Sequence, residues 1–117
     1  MGKNILIVDD EFDLVETCVR LLVRQGFTCL RAYTGQQGIT LIGQQHPDVV
    51  LTDLHLPDVD GLNVLRHARE HSPSIPGILM TDSPSISNNG HAVGGVQYLP
   101  KPFSNAALLE VVNRALR

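Results

Sequence analysis

Five short runs of β-forming residues alternate along the chain with longer segments that carry apolar residues at helical spacing. Three of the runs are continuously apolar, a pattern typical of parallel strands that are covered on both faces. The predicted strands are Asn4–Val8, Phe27–Ala32, Val49–Thr52, Gly77–Met80 and Val96–Leu99. This alternation predicts an α/β fold, a three-layer α/β/α sandwich built around a five-stranded parallel sheet.

The segments between the strands predict helices with identifiable ends. The first helix carries one apolar stripe and stops at Gly26, and the second and third are closed by His46-Pro47 and Ser72-Pro73. Ser104 is the predicted N-cap of the last helix. Segment 83–90 is rich in Ser, Pro, Asn and Gly, and it predicts a short, frayed or partly irregular helix.

Length and composition predict one ordinary globular domain, residues 1–117, with no effector domain in the chain. Hydrophobic residues make up 43% and charged residues 18%, and the net charge is −3. The nine basic residues are scattered, which argues against binding of nucleic acid. No apolar run is long enough for a membrane span or a signal peptide. Cys18 and Cys29 stand in apolar settings and predict buried, reduced thiols and a cytoplasmic location.

Polar and charged residues follow the predicted strands where each one ends. Asp9 and Asp10 follow the first strand, the third ends in Asp53, the fourth in Thr81, and Lys101 follows the fifth. In open parallel sheets, ligands bind beyond the carboxyl ends of the strands. We therefore expect these residues to meet at one edge of the sheet, although they are far apart in the chain.

Such a cluster has a definite chemistry. Two carboxylates about 4 Å apart repel by roughly 4 kcal/mol at an effective dielectric near 20, so three need more positive charge than Lys101 alone supplies. A hard divalent cation such as Mg²⁺ suits oxygen ligands of this kind. The metal and Lys101 could neutralise a transferring phosphoryl group, Thr81 could donate a hydrogen bond to it, and an aspartate acting as nucleophile would form an acyl phosphate.

Three motifs in this order make the chain resemble the receiver domain of response regulators, the phosphoacceptor proteins of two-component systems. The motifs are Ile7-Val8-Asp9-Asp10-Glu11, the run from Asp53 to Gly61 (Asp-Leu-His-Leu-Pro-Asp-Val-Asp-Gly) and Tyr98-Leu99-Pro100-Lys101-Pro102-Phe103. The resemblance covers essentially the whole chain. It implies the flavodoxin-like receiver fold with strand order 2-1-3-4-5.

The resemblance also implies roles for individual residues. Asp53 is the implied phosphoacceptor. Asp9 and Asp10 would hold Mg²⁺, with Asp10 the more direct ligand, and the backbone carbonyl of His55 would complete the protein's part of the metal shell.

Three further roles follow from the same resemblance. Thr81 is the implied switch hydroxyl, and Tyr98 is the aromatic residue that changes rotamer with it. Lys101 is the implied phosphate-contacting lysine, and the Lys101-Pro102 bond is expected to be cis.

The function that this resemblance implies is a signalling switch, whose only catalysis is its own phosphorylation and slow dephosphorylation. A histidine kinase or a phosphotransfer protein would be the phosphoryl donor. The downstream effector cannot be identified from the sequence. A homodimer through the output face is possible, and no nucleic acid or membrane partner is expected.

Three positions depart from the family pattern. Asp82 follows the switch hydroxyl where a small residue is usual, and it could repel an anionic phosphodonor or point to solvent. The interval from Thr81 to Lys101 is about two residues shorter than usual, and Pro100 replaces a small or β-branched residue.

Other readings of these residues remain open. A degenerate receiver that binds a protein without taking phosphate would explain Asp82. A Mg²⁺-dependent aspartyl-phosphate phosphatase is disfavoured because His55 stands where such an enzyme has a second aspartate. A flavodoxin-type carrier is disfavoured because the acidic residues after the first strand would repel the flavin phosphate. His67 and His71 lie four residues apart and could share a metal, although a solvated helix face is the favoured interpretation.

Overall fold

A computed structural model describes residues 2–82 and 96–117 of the chain. Five parallel strands form one sheet in the order β2-β1-β3-β4-β5, which confirms the predicted architecture. The strands are β1 (Asn4–Val8), β2 (Thr28–Ala32), β3 (Val49–Asp53), β4 (Gly77–Thr81) and β5 (Val96–Pro100). The order places β1 beside β3 at the centre, so the residues that follow these two strands become neighbours.

Four helices cover the sheet in the part of the chain that the structure describes. They are α1 (Phe12–Arg24), α2 (Gly35–Gln45), α3 (Gly61–His71) and α4 (Asn105–Ala115). The helix ends agree with the sequence prediction, and the Ser104 side chain accepts a hydrogen bond from the Ala107 N–H at 3.0 Å, as expected of an N-cap. The predicted irregular helix in segment 83–90 lies outside the described residues.

Alternate residues of the central strands point into two separate hydrophobic cores, one on each face of the sheet. Ile5 and Ile7 of β1 point into the core shared with α1 and α4, and Leu6 and Val8 point into the core shared with α2 and α3. All four side chains are fully buried. The continuously apolar strand pattern therefore has the predicted cause, since both faces of the sheet are covered.

β3, β4 and β5 each extend one residue beyond the predicted end, to Asp53, Thr81 and Pro100. Two other details of the sequence prediction are wrong. Phe27 lies outside β2 because its N–H donates to the Leu22 carbonyl at 3.1 Å and so closes the end of α1. Cys29 is only partly buried, since β2 is an edge strand of the sheet, whereas Cys18 is buried as expected. Burial raises the pKa of the Cys18 thiol to about 11.

No helix within the described ranges is both long and apolar enough to cross a membrane.

Candidate functional site

The carboxyl ends of β1 and β3 bring three aspartates together. Asp9 and Asp10 follow β1, Asp53 is the last residue of β3, and one carboxylate oxygen from each lies within 4.8 Å of the others. Asp9 is fully buried and Asp53 is 8% exposed, whereas Asp10 lies exposed to solvent. We call Asp9, Asp10 and Asp53 the aspartate cluster.

Lys101 supplies a positive charge to the aspartate cluster from the far end of the chain. Its Nζ atom lies 2.8 Å from Asp9 Oδ2, 3.3 Å from Asp53 Oδ1 and 3.2 Å from Glu11 Oε1. The backbone N–H of Lys101 donates to the Thr81 carbonyl at 2.8 Å, which fixes the lysine to the end of β4. The Lys101-Pro102 peptide bond is cis, as the sequence resemblance implies.

The electrostatics of the aspartate cluster are those of a site that lacks positive charge. Burial raises the pKa of Asp9, and the opposing hydrogen bond and charge from Lys101 do not restore its usual value. Burial, followed by repulsion from Asp9, also raises the pKa of Asp53. Burial alone would lower the pKa of Lys101, but the hydrogen bond and charge of Asp9, together with Asp53, raise it overall. The folded protein therefore disfavours negative charge at these two aspartates.

This donor set fits the cation that the sequence predicts. Three carboxylate oxygens are the hard ligands that Mg²⁺ prefers, and the exposed position of Asp10 leaves the metal side of the site open to the waters that Mg²⁺ keeps. A divalent cation would also relieve the repulsion between Asp9 and Asp53. Asp9, Asp10 and Asp53 are thus the residues that would hold it.

His55, the fourth predicted metal ligand, lies in the loop between β3 and α3. It is two residues beyond Asp53, its side chain is exposed, and it pairs with Asp60 in an isolated antiparallel bridge. The part assigned to its backbone carbonyl stays a prediction.

Thr81 and Tyr98, the predicted switch residues, lie on the two strands next to β3. Thr81 is buried at the end of β4, between the strands that carry Asp53 and lead to Lys101. Tyr98 of β5 packs against the core shared with α2 and α3. Its hydroxyl is buried and has no hydrogen-bond partner within the described residues. Their switching roles stay predictions.

The loop between β3 and α3 contains a residue whose function sequence reasoning missed. Asp60 caps α3 by accepting a hydrogen bond from the Leu62 N–H at 2.7 Å, as its place before the helix suggests. Asp58 instead accepts hydrogen bonds from Gly35 and Gln36, at the start of α2. Nothing in the local sequence indicates this contact, because it joins residues more than 20 positions apart.

Gly61 allows α3 to begin directly beneath the site. A Cβ atom at this position would collide with the backbone carbonyl oxygen of Asp53. The glycine in the Asp53-to-Gly61 motif therefore has a steric cause, since only a residue without a side chain permits this close approach.

Asp82 stands beside the aspartate cluster, as its position in the sequence predicts. It is exposed and lines a cavity of about 370 Å³ together with Lys101 and Glu11. Leu14, Pro102 and Phe103 supply the apolar part of the cavity wall. The exposure of Asp82 agrees with the solvent-facing alternative, and its effect on an incoming phosphodonor stays a prediction.

His67 and His71 belong to no cluster of three possible metal ligands in residues 2–82 and 96–117. The His67 Nδ1 atom lies 3.5 Å from Glu70 Oε1, and its side chain is 45% exposed. This agrees with the favoured interpretation of a solvated helix face.

Comparison with known proteins identifies the family. A family model described as the response regulator receiver domain matches residues 5–113. The regulatory protein AtoC of Escherichia coli is 36% identical over 98% of this chain and 25% of its own length. The DNA-binding transcriptional regulator NtrC of Proteus hauseri is 31% identical over 97% of this chain and 24% of its own length. The response regulator MprA of Mycobacterium ulcerans is 34% identical over 100% of this chain and 51% of its own length. The chain thus spans about a quarter to a half of these curated relatives.

Solved structures agree with the sequence relatives. The chemotaxis response regulator CheY4 of Vibrio cholerae has a TM-score of 0.90 at 26% identity, with 99% of this chain and 100% of that chain covered. A CheY-like receiver domain protein from Methanospirillum hungatei has a TM-score of 0.90 at 29% identity, with 99% and 94% covered. The fold, the arrangement of Asp9, Asp10, Asp53 and Lys101, and the matched length lead to one conclusion: this chain belongs to the response regulator receiver domain family.

Proposed function

We propose that this chain is a phosphorylation switch in which Asp53 accepts a phosphoryl group from a histidine kinase or a phosphotransfer protein. The observation that carries the proposal is the meeting of Asp53 with two further aspartates and with Lys101 at the carboxyl edge of the sheet. Burial raises the pKa of both Asp9 and Asp53, and the charge of Asp9 raises that of Asp53 further. Such arrangements are unfavourable for the fold and concentrate at functional sites.

The reaction depends on Mg²⁺, which Asp9, Asp10, Asp53 and the backbone carbonyl of His55 would hold. When bound, the cation supplies positive charge that neutralises the aspartate cluster and the phosphoryl oxygens. The chain contributes the remaining charge through Lys101, whose ammonium group already lies 3.3 Å from Asp53.

In the proposed transfer, a carboxylate oxygen of Asp53 attacks the phosphorus of a phosphohistidine in line with the bond that breaks. The phosphorus–nitrogen bond breaks, its electron pair leaves with the donor imidazole, and an acyl phosphate forms on Asp53. Lys101 stabilises the negative charge on the phosphoryl oxygens. Water then hydrolyses the acyl phosphate slowly, releasing inorganic phosphate and restoring the Asp53 carboxylate, and we propose no other enzymatic activity.

The proposed switch couples this charge to the output face through Thr81 and Tyr98. The Thr81 hydroxyl would donate a hydrogen bond to the phosphoryl group from the neighbouring strand end. Among residues 2–82 and 96–117 the buried Tyr98 hydroxyl has no hydrogen-bond partner, and a buried hydroxyl that stays unpaired is unfavourable by about 1–3 kcal/mol. Movement of Thr81 would then release Tyr98 and change the surface formed by β5 and α4, which a second copy or an effector would read.

We place this function in the cytoplasm, where a kinase would act and where Cys18 and Cys29 would stay reduced. Both cysteines are free thiols. We propose no nucleic-acid contact by this domain, because NtrC, whose name mentions DNA binding, is about four times longer than the part that matches this chain. We propose no membrane contact either.

The test is incubation of the full chain with Mg²⁺ and a small acyl phosphate, followed by intact-mass measurement. We expect one added phosphoryl group that requires Mg²⁺, is lost in Asp53→Asn and persists in the control variant Asp60→Asn. Asp60 lies at the same edge of the sheet but outside the aspartate cluster. Phosphate incorporation into Asp53→Asn would overturn the assignment of the phosphoacceptor.

A second candidate function rests on the position of Asp82 in the cavity beside Lys101. A degenerate receiver that only binds a protein partner would remain unmodified in the same experiment, both with a small donor and with a kinase. Incorporation of phosphate from either donor would exclude it.

A further inference from the structure

Asp58 joins the loop between β3 and α3 to the start of α2. Its two carboxylate oxygens accept hydrogen bonds from the backbone N–H groups of Gly35 and Gln36, both at 2.9 Å. These donors belong to the first turn of α2, where N–H groups have no partner within the helix. Asp58 Oδ1 also accepts from the Val59 N–H at 3.0 Å, so the carboxylate is bonded on both sides of the junction.

The same junction is closely packed. A Cβ atom at Gly35 would collide with the Val59 side chain and would stand 3.2 Å from Asp58 Oδ1 and 3.4 Å from Leu56. The start of α2 therefore rests against residues 56–59 of the loop. This contact needs a glycine at position 35, which is one reason for a residue of low helix propensity at the start of a helix.

The two ends of the loop are fixed independently of Asp58. The Leu54 N–H donates to the Met80 carbonyl at 2.9 Å, and the Gly61 N–H donates to the Leu54 carbonyl at 2.8 Å. Asp60 then caps α3. His55 lies inside this frame, two residues beyond Asp53, and its bridge to Asp60 closes the base of the loop. Asp58 lies between these two residues, and its side chain joins the loop apex to α2.

From these contacts we infer that Asp58 is a positioning residue for Mg²⁺: by holding the loop apex on α2, it fixes the backbone around His55 in the place where the metal is bound. The inference rests on the proposed function, and it names Asp58 as a residue that sets the Mg²⁺ affinity of the site. A loop released from α2 has more conformations, and the binding of Mg²⁺ must then also order it. Partners that orient metal ligands from outside the coordination shell change metal affinity by about 10- to 100-fold.

Thr34 offers a matched control at the same helix end. Its side chain accepts a hydrogen bond from the Gln37 N–H at 3.1 Å, as the ordinary N-cap of α2, and no described hydrogen bond joins it to the loop. Thr34→Ala and Asp58→Ala thus both remove a cap from α2, and Asp58→Ala alone detaches the loop. Any effect that comes only from weakening α2 will appear in both variants.

The experiment is a calorimetric titration of the wild-type chain and the variants Asp58→Ala, Thr34→Ala and Asp58→Asn with Mg²⁺, without phosphodonor. We expect the Mg²⁺ dissociation constant to rise by about 10-fold in Asp58→Ala, the lower end of that range, and to stay within twofold of wild type in Thr34→Ala. Asp58→Asn, which keeps one acceptor oxygen for the α2 amides and is milder for folding, should lie between them. Saturating Mg²⁺ should return the phosphorylation rate of Asp58→Ala to that of wild type.

Equal Mg²⁺ affinities in Asp58→Ala and Thr34→Ala would overturn the inference, as would a phosphorylation defect in Asp58→Ala that excess Mg²⁺ does not relieve. Failure of the wild type to bind Mg²⁺ is a different result, since it would overturn the proposed function itself and the inference with it.

Discussion

Aspartates at one edge of the sheet are held by opposite physical effects in two neighbouring regions. In the aspartate cluster, burial and mutual repulsion raise the pKa of Asp53, so the folded protein disfavours its charge. In the loop that follows, backbone N–H groups of Gln36 and Gly35 lower the pKa of Asp58, so the fold favours its charge. The charge of Asp58 therefore stabilises the fold, whereas the charge of Asp53 destabilises it.

This difference explains what each region contributes. Asp58 and Asp60 complete the first turns of α2 and α3, where helices leave N–H groups unpaired. Asp9 accepts a hydrogen bond from the Glu11 N–H at 2.9 Å, but burial still raises the pKa of Asp9 and of Asp53, and Lys101 compensates them only in part. Buried carboxylates whose charge the fold disfavours are expected at a site that binds a cation. Four substitutions test this comparison.

The largest effect is expected for Lys101→Met, which removes the counter-charge of the buried cluster. Without Mg²⁺ at pH 7, the free energy of unfolding should fall by about 2 kcal/mol, because loss of one partner leaves buried charge uncompensated. Urea denaturation measures the change. Lys3→Met is the control, because Lys3 is the other lysine of the chain and is exposed. Its substitution should change the free energy of unfolding little. An equal effect in both variants would contradict the role of Lys101.

Asp60→Ala should lower the free energy of unfolding by about 1 kcal/mol, because α3 loses the side chain that caps its first turn. Urea denaturation again measures the change, and added Mg²⁺ should leave the loss in place. Glu70→Ala, at an exposed position near the other end of α3, should alter stability by less than about 0.5 kcal/mol. An Asp60→Ala protein as stable as wild type would show that the Asp60 cap does not contribute to stability.

Asp53→Asn should change the free energy of unfolding in the opposite direction. Without Mg²⁺, removal of a charge that Asp9 repels should raise the free energy of unfolding by somewhat less than 1 kcal/mol. With Mg²⁺ the order should reverse, because the wild type gains stability from binding while the variant has lost a ligand. Thermal denaturation with and without Mg²⁺ measures both states. A destabilised Asp53→Asn protein in the absence of Mg²⁺ would break the comparison.

The smallest effect is expected for Asp82→Ala, measured as the rate of phosphorylation by a small anionic donor. Two charges about 8 Å apart in water interact by roughly 0.5 kcal/mol before screening, which corresponds to about a twofold change in rate. The variant should therefore react about twice as fast, and added salt should reduce the difference. Asp13→Ala removes an exposed acid in the first turn of α1 and is the control. Equal rates would show that Asp82 does not affect the incoming donor.

Much of the fold and of the aspartate cluster could be predicted from the sequence because each depends on a periodic or positional rule. Continuous apolar runs indicate strands covered on both faces, and parallel strands place their carboxyl ends at one edge. These two rules bring Asp9, Asp53 and Lys101 together without knowledge of any distance. The strand order itself followed from the resemblance of three motifs to a known family.

The remaining features depend on contacts that no local pattern encodes. Asp58 precedes α3 in the sequence yet binds α2, because the packing of α2 against α3 brings that helix end to the loop. The partial exposure of Cys29 follows from the place of β2 at the sheet edge, which strand periodicity does not reveal. The position of the Tyr98 hydroxyl away from any described partner is likewise a result of packing.

The ion pair between Lys101 and Asp9 joins residues that are 92 positions apart in the chain. During synthesis Asp53 leaves the ribosome long before β5 and Lys101, and α4 follows later still. A nascent chain that ends before Lys101 contains the three aspartates but lacks the charge that compensates them. The compensated aspartate cluster therefore forms only after β5 and Lys101 have been synthesised and β5 has paired with β4.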